Sequence, residues 1–486
     1  MAFFTKLLNQ TTLLLWLSAA SVVVYSCVDM HQGQGVNSLV RSQEVPPATD
    51  KSPLAERQRR GFLYITEGNY HGTGIPMTPL FIRKIQGRNT VKGTLPDSLL
   101  TEKRTISSKV PFGYSAVLAT NNTAIINANC FSCHAGHVDK KFVLGLGNTN
   151  SIYQRDYRFQ SQVLDKVVKT MYGPRSSRRS AYGHFGDYFK AVAKATRTPN
   201  PVVNPAFRLE EACVRHRNPV DFSYVAPALF EMVEPVYASD VPPLWNVRKK
   251  STLYYNGMGH GDKTKLLMQI TAMGITDTTM ARSVQQNFVN VVTWINSLKP
   301  PPYPGRIDQQ SALQGKALFL TKCSKCHGTY GDPEVYPNRV VALDVVKTDP
   351  LYAQYFVKQS GLPSWYNSSW FAHSYPASAL RPTMGYQAPP LDGIWATAPY
   401  LHNGSIPTLK ALLNSKIRPV YWEFSAAYTY QAVGIENTER LRYSASKRNL
   451  TVYDTTVPGY GKDGHYFSDE FSDSQRADLL EYLKTL

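Results

Sequence analysis

Cys130-Phe131-Ser132-Cys133-His134 and Cys323-Ser324-Lys325-Cys326-His327 each place two thiols one helical turn apart, with a histidine directly after the second. That spacing suits covalent haem attachment: the thiols add to the two vinyl groups, and the histidine reaches the iron from one face. With 6 Cys and 11 His in 486 residues, one such pentapeptide arises by chance only about 0.002 times. Two copies therefore indicate two c-type haems, with Cys130, Cys133, Cys323 and Cys326 as attachment points and His134 and His327 as iron ligands. A zinc knuckle would instead pair both C-x-x-C units in one tetrahedral site. Their separation of about 190 residues, and the trailing histidines, argue against it.

What each haem does depends on the second axial position of its iron. A filled position makes an electron carrier, and an open or displaceable one receives peroxide or dioxygen. The loop Tyr254-Tyr255-Asn256-Gly257-Met258-Gly259-His260-Gly261-Asp262 is glycine-rich enough to bring backbone close to a macrocycle. His260 is thus a candidate distal acid/base assisting O–O cleavage, or a weak ligand; a surface loop histidine is the alternative. On charge alone, Arg248, Lys249 and Arg381 are candidates to pair with haem propionates. His137 reads as a contact at the haem periphery, and Cys213 as a small buried residue.

Ordinary globular elements must position these groups. The chain is 43% hydrophobic and 12% aromatic, ample for cores that exclude water from two large flat cofactors. Helical spacing of apolar residues marks Gln160 to Met171, Ala281 to Leu298 and Ser311 to Leu320, the last delivering Cys323. A closing helix is expected over Ser472 to Leu486, where Ser472 and Gln475 form a capping-box pattern. Lys299-Pro300-Pro301-Pro302-Tyr303-Pro304 stops the preceding helix and reads as a stiff linker. The expected organisation is a signal peptide over 1–27, a flexible tether over 28–55, and two haem units over 56–300 and 301–486. The signal has the early Lys6 and an apolar run from Leu13 to Val24, and it implies a periplasmic or, alternatively, a secreted protein. Cys27 directly after Ser26 adds a lipoprotein reading, with a lipid anchor in place of ordinary cleavage. The net charge of +18 comes from scattered Lys and Arg, which argues against a nucleic-acid partner and for pairing with propionates and steering of an acidic redox protein.

Ala398-Pro399-Tyr400-Leu401-His402-Asn403-Gly404-Ser405-Ile406-Pro407-Thr408-Leu409 resembles the A-P-Y-x-H-[DN]-G-S-x-x-T-L signature of the bacterial dihaem cytochrome c peroxidase superfamily, which includes the methylamine-utilisation dihaem enzymes and the rubber oxygenases. The resemblance runs from about residue 60 to the end. The long interhaem interval and Gly464-His465-Tyr466-Phe467 are closest to the rubber-oxygenase-like branch. It implies a mainly α fold of two cytochrome c-type haem domains with long loops and few short strands. It implies His465 as the sixth ligand of the second haem, with His402 as the other choice, since Lys416 stands where the peroxidases carry methionine. By the same resemblance, Trp245 in Asp240-Val241-Pro242-Pro243-Leu244-Trp245 relays electrons between the haems. A structural calcium accompanies the superfamily, although no carboxylate cluster here resembles a calcium loop. The implied activity is reduction of hydrogen peroxide at the first haem, with electrons from a small cytochrome or cupredoxin entering through the second. The alternatives are dioxygen-dependent cleavage of a polyisoprenoid or similar apolar substrate, and plain electron transfer.

Overall fold

Ser52 accepts a hydrogen bond from the Ala55 N–H, and Pro53 follows in the first turn, where its missing N–H costs nothing; the Pro53–Glu67 helix starts there. This start falls inside the last residues assigned to the tether. The computed structural model describes residues 52–78, 110, 112–139, 141–151, 153–440 and 450–486. The export signal, Cys27 and the rest of the tether lie outside the described residues.

The chain is mostly helical with some short strands. Helices occupy Arg158–Met171, Thr278–Ser297, Gln309–Lys322 and Asp473–Leu483, where apolar spacing put them. Thr278–Ser297 is capped by Asp277, whose carboxylate accepts from the Met280 N–H, and it buries Val284, Phe288, Val291, Trp294 and Ile295. It packs against Pro53–Glu67 at Gly61, where a Cβ would stand 2.1 Å from the Asn290 carbonyl oxygen. Asp473–Leu483 has the capping box between Ser472 and Gln475 and packs against Gln309–Lys322. Gly315 permits that contact, since a Cβ there would meet the Asp478 carbonyl oxygen at 2.0 Å.

Strand content exceeds the expectation of a few short pieces. Among the described residues there are two three-stranded and three two-stranded sheets. Tyr421–Thr429 pairs with both Gly434–Glu439 and Val452–Asp454, and the buried Trp422 stacks on Tyr453 with ring centres 5.1 Å apart. The proline linker does not divide the interior in two. One buried cluster takes in Phe62, Phe288 and Trp294 from before it and Phe319, Tyr352, Leu480 and Leu483 from after it. Among the described residues, no helix is long and apolar enough to cross a membrane. None of their His, Cys, Asp and Glu side chains form a group of three or more that could hold a metal ion.

Candidate haem sites

Strand Ala124–Ala128 runs into the turn Cys130–Ser132, which Asn129 opens by accepting from the Phe131 N–H at 2.9 Å. The His134 N–H donates to the Cys130 carbonyl at 2.9 Å, so the two thiols and the imidazole share one turn. Asn204 donates its side-chain N–H toward Cys133 Sγ at 3.1 Å. The second motif is built differently, as Gln309–Lys322 continues into Ser324–His327 with the His327 N–H on the Cys323 carbonyl at 3.0 Å. Gly328 ends this turn at φ +83°, and a Cβ there would lie 2.0 Å from the Val335 carbonyl oxygen. Burial pushes the Cys130 and Cys323 thiols up to about 11.

Both motifs open onto one cavity of about 670 Å³, whose walls include Cys130, Cys133, His134, Cys323, Cys326 and His327. Burial lowers the pKa of both histidines, His134 to about 4, and so keeps the imidazoles in the neutral form that ligates iron. The His327 Nδ1–H donates to the Pro389 carbonyl at 2.9 Å, leaving Nε2 for a metal. His134 faces the Pro242 carbonyl in the corresponding way, without a hydrogen bond of normal length. The parallel has a sequence basis that motif reading passed over: Val241-Pro242-Pro243-Leu244 and Ala388-Pro389-Pro390-Leu391 are a repeat, one copy backing each proximal histidine.

His465 stands opposite His327, with ring centres 6.2 Å apart. Imidazole nitrogens bind a metal at about 2 Å, and adding a ring radius on each side gives a separation of roughly 6 Å for two rings sharing one metal. The pair therefore fits a haem iron between them. His465 sits at φ +51° after Gly464 at φ +84°, and Gly464 packs so close to Thr348 that a Cβ would lie 2.2 Å from its nitrogen. Arg418 holds this loop with hydrogen bonds to the carbonyls of Lys462, Gly464 and His465. His402 also lines the cavity and is buried, but its ring stacks on Tyr386 at 3.9 Å between centres. Its Nε2 has no hydrogen-bond partner among the described residues.

Trp245 is buried, and its indole N–H donates to the Asp392 carbonyl at 2.8 Å. It thus ties the segment behind His134 to the segment behind His327. His260 lies on strand Gly259–Gly261, half-buried, paired across to Ala379 and outside the cavity lining. Burial and the nearby Arg381 lower its pKa. The same loop does supply the cavity, but through Tyr254 and Tyr255. Tyr254 donates to Glu210 at 3.0 Å, and Tyr255 donates to the buried Asp240 at 3.4 Å. Arg248 and Lys249 do not face the cavity as free cations: both pair with Asp392, Lys249 at 2.7 Å. Lys250 does line it, and burial plus the neighbouring Lys263 lower its ammonium to about 8. An acidic propionate would relieve that strain on its charge. His137 packs half-buried on Phe142, and Cys213 is a buried thiol raised to about 12.

Residues 385–423 match a family described as RoxA-like, cytochrome c-like. The chain is also similar to two uncharacterised proteins of Sinorhizobium fredii (strain NBRC 101917 / NGR234), y4iM and y4iJ. It is 28% identical to y4iM over 282 residues, which are 51% of this chain and 64% of that protein. To y4iJ it is 28% identical over 256 residues, 39% of this chain and 41% of that protein. The chain thus spans less than two thirds of either relative. Over residues 385–423 the chain is thus similar to a cytochrome c-like domain, the kind of domain that carries haem c.

Proposed function

We propose that this chain is an exported dihaem oxidoreductase that reduces hydrogen peroxide at the Cys130–His134 site, using electrons that enter at the Cys323–His327 site. The bound haems would supply one-electron chemistry and, where an axial position is free, a place for the oxidant. The observation that carries the reading is the inequality of the two sites. His327 and His465 face one another at metal-sharing distance, which suits a closed, low-potential electron store. Among the described residues no such ring contact is found at His134, and the wall of the shared cavity carries hydroxyl and carboxyl groups from Tyr254 and Glu210, which suit a reaction at oxygen. Trp245 lies between the two proximal segments and holds them in register through Asp392. Lys250 would hold a propionate. A small cytochrome or cupredoxin would refill the second site, and the signal over 1–27 would place the protein in the periplasm, with Cys27 as a lipid anchor.

A second reading, dioxygen-dependent cleavage of an apolar polyisoprenoid-like substrate, draws on the apolar walls of the same cavity, which include Ile75, Phe185, Phe189 and Val192. Carbon monoxide titration of the reduced holoprotein separates both from a plain carrier, since either enzyme binds one equivalent per chain. Turnover of hydrogen peroxide with a reduced small cytochrome then supports the first reading. Carbonyl-ended oligomers from polyisoprene and dioxygen, without peroxide turnover, would replace it with the second.

A further inference from the structure

Four oxidisable rings pack in a closed circuit behind the cavity wall. Trp395 lies 5.5 Å from Tyr303 and 5.9 Å from Tyr428, and Tyr430 completes the circuit at 5.9 Å from Tyr303 and 4.9 Å from Tyr428, all between ring centres. These are contact separations for aromatic pairs. Tyr428 and Tyr430 stand two residues apart where strand Tyr421–Thr429 ends, which puts their rings on one side. Tyr303 comes from the proline linker, and its hydroxyl donates to the Tyr430 carbonyl at 3.2 Å. The inner end of the circuit adjoins the haem cavity, since Ile394 and Thr397, on either side of Trp395, line it. Gly393, at φ +64°, sits against Pro300 and Trp245, where a Cβ would lie 2.3 Å from Pro300 Cβ and 3.4 Å from Trp245 Cζ2. The Trp245 indole therefore reaches the turn that carries Trp395. The outer end, Tyr303 and Tyr430, is half-buried.

The hydroxyls tell the tyrosines apart. Drawing an electron from a phenol makes its proton strongly acidic, so the oxidation is easy only where a base accepts that proton. Tyr428 donates to the Trp395 carbonyl at 2.6 Å and Tyr303 to the Tyr430 carbonyl, and neither amide oxygen is a base. Tyr430 instead donates to the Asp139 carboxylate, with Oδ2 at 2.7 Å. Asp139 belongs to the turn between strands Ala135–Val138 and Lys141–Leu144, directly after the first motif. At rest burial, and then this carboxylate, raise the Tyr430 phenol above its ordinary range, so it keeps its proton until an electron leaves.

We infer that Tyr430, with Asp139 as its base, is a surface site at which small neutral phenols are oxidised, the electrons passing through Tyr428 and Trp395 to the haem cavity. The assignment rests on the peroxide-reducing reading, which supplies the oxidant. Tyr430 gives up an electron toward the cavity and its proton to Asp139. The neutral tyrosyl radical then takes a hydrogen atom, proton and electron together, from the O–H of the phenol, which leaves as a phenoxyl radical; Asp139 returns its proton to solvent. Two such cycles deliver the two electrons that, with two protons from solvent, turn one hydrogen peroxide into two waters. The Asp139 carboxylate beside the site disfavours anionic donors. This entry is separate from the one for a redox protein at the second motif.

Guaiacol is the test phenol, given to the holoprotein with hydrogen peroxide. The wild type should oxidise it. Tyr430→Phe and Asp139→Asn should lose most of that activity, while turnover of peroxide with a reduced small cytochrome stays unchanged. Asp139→Asn leaves the rings in place, so its loss reads the proton acceptor and not the packing. A wild type that turns over peroxide with the cytochrome but not with guaiacol, or a Tyr430→Phe variant that oxidises guaiacol as fast as the wild type, overturns the inference. The route can also be read without peroxide. Ruthenium(III) tris-bipyridine, generated by a flash in solution, should oxidise Tyr430 and then the ferrous haem, and the haem step should slow in Tyr430→Phe and in Trp395→Phe. Haem oxidation at one rate in all three proteins overturns the relay. A relay that shows in the flash experiment, in a protein that turns over peroxide with neither donor, supports the route and rejects the peroxide reading instead.

Discussion

Arg418→Met should open the second haem to carbon monoxide. The Arg418 guanidinium is buried and spends every donor on backbone carbonyls: Ala411 at 3.2 Å, Leu412 at 3.0 Å, Lys462 at 2.8 Å, Gly464 at 2.7 Å and His465 at 3.3 Å. At about 1 kcal/mol net for each bond, deletion removes about 5 kcal/mol. Release of a buried charge and retention of the methylenes return part of that, leaving a loss of about 2–4 kcal/mol. The loss is local, because three of the five bonds converge on residues 462–465. His465 meanwhile holds a left-handed conformation at φ +51° that costs a non-glycine residue about 1–2 kcal/mol. Without the clamp, the backbone has every reason to relax and swing the imidazole away from His327. Carbon monoxide titration of the reduced protein should rise from one to two equivalents per chain, with loss of the low-spin signal of the second haem. Arg418→Lys, which keeps the charge but only part of the fork, should fall between. A variant that loses the expected stability yet still binds one equivalent, with the low-spin signal intact, would refute the idea that this clamp is what places His465.

Glu210→Gln should change how stability depends on pH. The Glu210 carboxyl is raised from 4.5 to about 8, so its contribution is fully present below pH 4.5 and is lost as pH rises to 8. Over that window the unfolded chain releases a proton that the folded chain keeps. The full shift corresponds to about 5 kcal/mol, and cavity water reaching the carboxyl reduces this to about 2–3 kcal/mol. Denaturant melts should show the variant gaining on the wild type between pH 5 and pH 8; a constant difference contradicts the burial argument. Trp245→Phe keeps the packing but removes the hydrogen bond to Asp392, and electron transfer from the second site to the first should slow at least about tenfold by flash photolysis, an unchanged rate placing the relay elsewhere. Ser472→Ala removes the capping box of the closing helix and should cost about 1 kcal/mol in a denaturant melt without altering either haem spectrum.

The sequence was most legible where chemistry imposes fixed spacing or where a helix repeats its apolar face. The two pentapeptides form single turns on one cavity, and the helices around Val284 to Ile295 and Leu479 to Leu483 lie where periodicity put them. His465 could be singled out only through resemblance, because nothing local in Gly464-His465 announces a partner more than a hundred residues earlier. Arg418 gave still less sign: a buried guanidinium that serves five carbonyls reads in sequence like any surface cation. Nor can composition show that Asp392 folds back onto Arg248 and Lys249, the two cations singled out on charge. His260 drew attention by residue type in a glycine-rich loop, whereas the cavity receives the loop's tyrosines. In a short strand, alternate residues face opposite sides, so Gly259 faces the buried side and His260 the rim.

The repeated Pro-Pro-Leu segments tie together two sites of unlike construction. Each segment presents a proline carbonyl to one proximal imidazole, through Pro242 for His134 and Pro389 for His327. A carbonyl is a fixed acceptor, and at His327, where the hydrogen bond is formed, it selects the tautomer that leaves Nε2 for a metal. Trp245, three residues beyond Pro242, donates to the carbonyl of Asp392, three residues beyond Pro389. Asp392 in turn draws in Arg248 and Lys249 from the Trp245 side. The two supporting segments are thus linked by two hydrogen bonds, the second from the Asn246 side chain to the Pro390 carbonyl, and by two ion pairs, and the core behind them is continuous. A shift of either motif histidine would have to deform that shared strut, so the spacing between the two C-x-x-C-H sites is a property of the fold as a whole and not of a hinge at the proline linker.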